Sequence, residues 1–257
     1  MKYTKEQIDK LIKGIYLGLV NVKNLPKKLY IAIAEHLKEG VYKGFGGSLI
    51  EFGGTDLALL KELRENAYIF SGAKTYQQIR EMSAMASKAQ TFSQFKKLVT
   101  PVYEKYNNDW LQTEYNTAVG QAQNANLWLE FEKDKKLFPY LKYSAVIDSR
   151  TSQICKPLDG IIRKVDDPIW SKYSPLNHFN CRCTLEKISI EEEVTITSEK
   201  QVKEVTKQLD KDVQKEFKMN SGKDGYIFSK DHPYFKVAKK DVALAKNNFY
   251  LPIPNKD

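Results

Sequence analysis

All three cysteines of this 257-residue chain, together with one of its three histidines, fall between Ile147 and Cys183, and that clustering restricts the fold more than any other feature. Cys155 ends the turn-forming run DSRTSQIC, whereas His178, Cys181 and Cys183 arrive together in NHFNCRC, so four donors come as one and then three. On an extended backbone Cys181 and Cys183 would project to one face with Cα atoms roughly 6.6 Å apart. Tetrahedral zinc with Zn–S bonds of about 2.3 Å asks for sulfurs roughly 3.8 Å apart, a gap that inward-leaning side chains close. His178 would enter from the turn after Pro175, and Cys155 would pin the far end of the loop. The expected set is Cys155, His178, Cys181 and Cys183 around a structural Zn2+, a closed Cys3His site.

Two other readings use the same residues. Reduced cysteines pack as small hydrophobes, although Asn180 and Arg182 beside them make poor core. A disulfide is the second, and the odd cysteine count, the lysine-rich composition and the charged amphipathic start MKYTKEQIDKLIKG, which does not read as a signal peptide, point away from it.

With 42% hydrophobic and 28% charged residues the chain has enough apolar material for one or two domains plus extensions. No apolar run approaches the roughly 20 residues of a bilayer span, so no membrane association is expected. The net charge of +9 raises nucleic acid as a partner, yet only five of the 41 cations are arginine and the lysines alternate with acids. That is the pattern of solvated helix faces. Sequence-independent contact with DNA through counterion release fits; a dedicated reader does not.

The first 135 residues read as helices. Thr4 with Gln7 forms a capping box, and Ile8, Leu11, Ile12, Ile15 and Leu19 recur at helical spacing. A second stripe, Leu29 to Leu37, follows Pro26 and is expected to stop at Gly40. His36 within it reads as an ordinary helix histidine. GFGGSLIEFGGTD lacks the phosphate-loop order and reads as a flexible joint or docking loop. A helix from Asp56 is expected to stop at Gly72, with Thr75 and Gln78 capping another. Asn107 to Lys135 is the longest candidate, with small residues at its middle where another helix could approach.

After Pro139 the period shortens, and YLKYSAVID, GIIRKV and CTLEKISI read as strands. Asp148 or Ser149 would cap the turn carrying Cys155, with Arg150 paired to Asp148 or Asp159 across the loop. Ser198 with Gln201 opens a last amphipathic helix whose face, Val202, Val205, Leu209, Val213 and Phe217, needs a partner on this chain or another. An aromatic tail from Tyr226 reads as a docking segment, and His232 before Pro233 as a turn residue. The fold class is α+β: a mainly helical N-terminal region, a small sheet domain with a zinc-stapled loop, and a C-terminal helix plus tail.

DSRTSQICKPLDG, Trp170 and SPLNHFNCRCTL together resemble the head-morphogenesis domain of the phage Mu F-like minor head proteins. Asp148, Arg150, Thr151, Cys155, Leu158, Asp159, Gly160, His178, Asn180, Cys181, Arg182 and Cys183 carry the resemblance, with Leu176 standing where a second proline is usual. The resemblance covers about residues 107 to 190, between a helical region 1–106 and a linker, helix and tail 191–257. It implies a minor capsid protein in a virion head, at the portal vertex, present in few copies and acting in head assembly or loading in the host cytoplasm. Its partners would be the portal protein, other head proteins and packaged DNA, with self-association possible. The family also carries a Thr-Glu pair in the long helix, which Thr113 and Glu114 fit; Glu114 reads here as a helix-surface carboxylate.

No enzyme is expected. Cys3His closes the coordination shell that a zinc hydrolase keeps open, the deaminase signature is absent, and three clustered thiols suit a metal better than one activated nucleophile. A delivery module for a bacterial toxin and a zinc-dependent nuclease or hydrolase are the alternative readings.

Overall fold

Thr4 opens the first helix as its capping box requires, accepting from Gln7 N–H at 3.2 Å while Gln7 Oε1 accepts from Thr4 N–H at 2.8 Å. The computed structural model describes residues 3–254. Its helices are α1 (Lys5–Tyr16), α2 (Lys27–Phe45), α3 (Gly54–Ala84), α4 (Phe92–Glu104), α5 (Trp110–Asp134), α6 (Trp170–Tyr173), α7 (Glu199–Asp212), α8 (Ser221–Asp224) and α9 (Val242–Lys246). Strands β1 (Tyr140–Ser144), β2 (Ile162–Lys164) and β3 (Thr184–Ile188) form an antiparallel sheet ordered β2-β1-β3. The chain is thus mostly helical with one small sheet. Contacts divide it into two units, one of Met1–Gly40, Arg64–Tyr115 and Asp231–Asp257, the other of Val41–Leu63 and Asn116–Lys230.

In the second unit the sheet registers Tyr143 against Leu185 and Leu141 against Arg163 and Lys187. Period-two alternation turns Leu141, Tyr143 and Leu185 inward onto Trp128 and Phe131 of α5 and Trp170 of α6, all buried. The amphipathic stripe of α7 finds its partner here. Val202 and Leu209, followed by Val213 and Phe217, are buried in this same cluster, with Phe217 edge-on to Phe179 at 4.8 Å. Of the two partners left open, on this chain or another, the structure supplies the first, because the apolar area is already removed from water within the chain.

The small residues of α5 do admit a close neighbour. Gly44 of α2 lies so near that a Cβ there would stand 2.0 Å from the Val119 carbonyl oxygen and 3.0 Å from Ala122 Cβ. The expected stop at Gly40 is therefore wrong. α2 continues to Phe45 because Gly40 faces Tyr115 of α5, and the left-handed Gly46, φ +97°, follows its end. The glycine-rich connector is an ordered turn rather than a free joint: the Ser48 hydroxyl donates to Glu51 at 2.8 Å, and Phe52 packs edge-on to Phe45 at 5.1 Å.

In the first unit, Gly72 does not end a helix and Thr75 does not begin one. α3 runs unbroken from Gly54 to Ala84, Thr75 donates back to the Ser71 carbonyl at 2.8 Å, and the missing Cβ of Gly72 leaves room for the Asn248 side chain, whose Oδ1 would stand 2.3 Å from it. α5 begins at Trp110 after a π-helical turn, Lys105–Asp109. Glu114 is not on the surface. It is 3% exposed and paired at 2.7 Å with Lys74, itself fully buried, while the Tyr234 hydroxyl donates to it at 2.9 Å. Burial drives both toward their neutral forms, raising Glu114 and lowering Lys74, and their mutual attraction opposes this.

From Asp231 on, the aromatic tail is anchored within the same unit. Tyr234 packs on Phe70 at 5.3 Å and on Tyr106 at 5.9 Å, and Phe249 stacks on Tyr76 at 4.9 Å. His232 is buried edge-on against Phe70 at 4.9 Å and accepts the Tyr234 N–H at 3.2 Å. His36 stacks on Tyr115 at 4.6 Å.

Gly44→Ala, which at an ordinary helix position stabilises, should here lower unfolding free energy by about 1–3 kcal/mol through overpacking, read in urea titrations. A second expectation is a pH dependence. Burial, with the nearby Lys74 charge, holds His232 down to about 4 from 6.5, so the folded chain refuses a proton that the unfolded chain takes. Its contribution is complete above pH 6.5 and is lost as pH falls toward 4, by up to roughly 3 kcal/mol. His232→Asn, which keeps an acceptor for Tyr234 N–H, should flatten that slope in melts between pH 7 and 4.

Candidate metal centre

Two loops of the second unit carry the donors. The first turns at Asp148, whose carboxylate accepts Arg150 N–H at 2.8 Å, and Thr151, whose hydroxyl is bonded to the carbonyls of Val146 and Asp148 at 2.8 Å. This delivers Cys155 to the start of a single 3-10 turn, Lys156–Leu158. The second loop folds back through Cys181 N–H to the His178 carbonyl at 3.3 Å, with Asn180 in the left-handed region at φ +58°. Cys183 then leads into β3. The two cysteines therefore lie just before the strand, not on it.

The sulfurs of Cys155, Cys181 and Cys183 all lie within 4.8 Å of one another, and all three residues are buried. Cys155 Sγ is 3.5 Å from Cys181 Sγ and 3.2 Å from His178 Nε2. His178 thus joins the thiol set through Cys155. Its other nitrogen, Nδ1, is 2.8 Å from the Phe179 carbonyl oxygen, which only accepts, so Nδ1 carries a proton and Nε2 is the nitrogen turned to Cys155. Three buried thiols this close are able to bind a metal.

The surroundings favour a thiolate at Cys181 alone, with Cys155 and Cys183 pushed up. Hydrogen bonds from the Cys155 and Cys183 thiols, with backbone N–H groups of Cys183 and Asn177 adding, hold Cys181 far below the ordinary thiol range, and the same sharing pushes Cys155 up. Tyr143, at an inward position of β1, points its hydroxyl at Cys155 Sγ from 3.7 Å and accepts from Asn177 Nδ2 at 2.9 Å. Both are fully buried. Neither was among the expected site residues; the alternation of β1 turns Tyr143 inward, but only the fold brings Asn177 to it.

Charge outside the cluster follows the sequence expectation in part, since Arg150 does pair with Asp148. Arg150 reaches Asp148 only at 3.9 Å, and Asp159 instead accepts Ala145 N–H at 2.9 Å. Arg182 makes the closer pair, laying its guanidinium fork on both Asp148 oxygens at 2.8 Å. That fork holds the Asp148 carboxyl down to about 2 and ties the Cys155 loop to the Cys181–Cys183 loop.

Residues 55–186 match the family model described as Phage Mu protein F like protein. The chain is similar to the putative capsid assembly protein F of Escherichia phage Mu, with 33% identity over 79 residues, which is 31% of this chain and 18% of that protein. It is similar also to the Mu-like prophage FluMu F protein of Haemophilus influenzae, with 47% identity over 51 residues, 20% of this chain and 12% of that protein. The aligned stretches span less than a fifth of either relative's length. No solved structure matches.

Tyr143→Phe should leave the Asn177 amide short of a partner in a dry core and destabilise the second unit by about 1–2 kcal/mol, measured by chemical denaturation, with the three thiols becoming more accessible to a thiol reagent.

Proposed function

Because the chain belongs to the Phage Mu protein F like family, we propose that it is a minor head protein of a tailed phage or prophage, acting in capsid assembly at the portal vertex, with a structural zinc and no catalysis. Residues 107–190 would be the Mu F-like domain proper. Cys155, His178, Cys181 and Cys183 would hold the metal. The observation that carries this is the convergence of three buried thiols within 4.8 Å of one another, with Cys155 Sγ 3.5 Å from Cys181 Sγ and 3.2 Å from His178 Nε2, against the roughly 3.8 Å edge of a zinc–sulfur tetrahedron. Zinc supplies a cross-link here. Cys181 and Cys183 border β3 and Cys155 sits between β1 and β2, so one ion ties both loops to a sheet of only thirteen strand residues.

The surroundings suit a staple better than a reaction centre. Four protein donors complete a tetrahedral shell and leave no open coordination position, although the cavities beside them differ in size, about 20 Å³ beside Cys155 and Cys183 and about 560 Å³ beside His178 and Cys181. No described helix is long and apolar enough to cross a membrane. The names of the relatives, both F proteins and one a capsid assembly protein, support the assembly role and leave the portal contact to experiment.

Purified without chelator, the protein should carry about one zinc per chain by elemental analysis. Cys181→Ser or Cys183→Ser should abolish that zinc and open residues 148–190 to protease while the N-terminal helices persist. The full chain should co-purify with the portal or another head protein of the same phage. A metal-free protein of unchanged protease resistance would remove the zinc, and failure to associate with any head protein would remove the assembly role.

A further inference from the structure

The tail carries a backbone conformation that neither the metal centre nor the apolar cores require. Asn248, Phe249 and Tyr250 have φ of +46°, +55° and +58° in succession, three non-glycine residues in the left-handed region that L-residues visit singly and at a cost. Such strain persists only where the surroundings over-determine it, and here they do. The Asn248 side chain fills the notch left by Gly72 and donates to the Leu251 carbonyl at 3.1 Å. Phe249 stacks on Tyr76, and the Tyr30 hydroxyl donates to the Pro252 carbonyl at 2.7 Å. Arg64, buried in α3, donates to the Pro254 carbonyl.

The product of these anchors is the placement of one ring. Phe249 and Leu251 on either side are each 8% exposed, whereas Tyr250 is 76% exposed, and neither its ring nor its hydroxyl has a partner among the described residues. Along the chain from Lys236 to Tyr250 the exposed charge has one sign. Lys236, Lys239, Lys240 and Lys246 are exposed and make no recorded ion pair, while the single acid between Lys236 and Tyr250, Asp241, is buried and accepts the Tyr76 hydroxyl at 2.7 Å. Val242, 40% exposed, adds apolar area on α9.

We propose that the Asn248–Tyr250 turn, with the lysines that precede it, is a docking surface for a protein of the head whose contact face offers a slot for one aromatic ring rimmed by carboxylates. This rests on the assembly reading above. A rigidly presented tyrosine is the residue type that dominates protein interfaces when it fills a desolvated pocket, and a lysine rim speeds and orients association with an acidic face. Duplex DNA would use the lysines but has no slot for the ring, and nothing in a DNA contact calls for a strained turn to hold Tyr250 outward.

The test titrates the full chain against the purified portal protein and the purified major head protein of the same phage, in parallel with Tyr250→Ala, Tyr250→Gly and the triple variant Lys239→Glu, Lys240→Glu, Lys246→Glu. Tyr250→Ala should weaken binding at least tenfold, and the triple variant should weaken it and flatten its salt dependence. Tyr250→Gly separates strain from function: glycine suits the left-handed position, so its melting temperature should rise while binding falls as in Tyr250→Ala. If the parent chain binds and all three variants bind within twofold of it, this surface is wrong and the assembly reading stands. If the parent chain binds neither protein, this surface falls, and the assembly reading falls with it when no other head protein of the phage binds the chain either. Tyr250-dependent binding to a 30-base-pair DNA duplex, without loss of head-protein binding, would also overturn the assignment.

Discussion

The meeting of Cys155 with His178 and Cys181 is the contact on which the second unit turns. β1, β2 and β3 supply few backbone hydrogen bonds, and the connections between them are long and mostly irregular. Ordering such connections costs roughly 1–2 kcal/mol per residue in backbone entropy, more than a three-stranded sheet alone offsets. The donor cluster joins both connections at one point, the Asp148–Arg182 fork joins them again outside it, and Tyr143 with Asn177 closes the inner side. The apolar cluster of Trp128, Trp170 and Phe217 is then assembled around a fixed frame.

What the sequence made legible was local. Capping boxes at Thr4 and Ser198, the alternation of YLKYS and TLEKI, the small residues of α5 and the cysteine clustering all act within a few residues or through one repeated spacing, and each is found where it was expected. The misreadings came from distance along the chain. Glu114 looks like a surface carboxylate because its partner Lys74 lies forty residues away. Gly40 and Gly72 look like helix stops, but each makes room for a side chain on a remote segment, Tyr115 and Asn248. The α7 stripe declared that it needed a partner without saying which.

At the candidate site the residue types were legible and the support around them was not. Cys155, His178, Cys181 and Cys183 stand out by rarity. Arg150 and Arg182 are equivalent in composition, and only the path of the two loops decides that Arg182 lies on Asp148 while Arg150 stays exposed. The same division holds for function. Similarity to the Mu F family covers residues 55–186, which include the cysteines and the helices from α3 to α6, whereas α1, α2, α7 and the tail lie outside it.

X-ray absorption at the zinc edge of the purified full-length protein tests the central claim most directly. The account predicts a four-coordinate ion with three sulfur neighbours at about 2.3 Å and one imidazole nitrogen at about 2.0–2.1 Å, with one sulfur lost in Cys155→Ser. A first shell of oxygen or nitrogen alone, or a spectrum unchanged by Cys155→Ser, would contradict it.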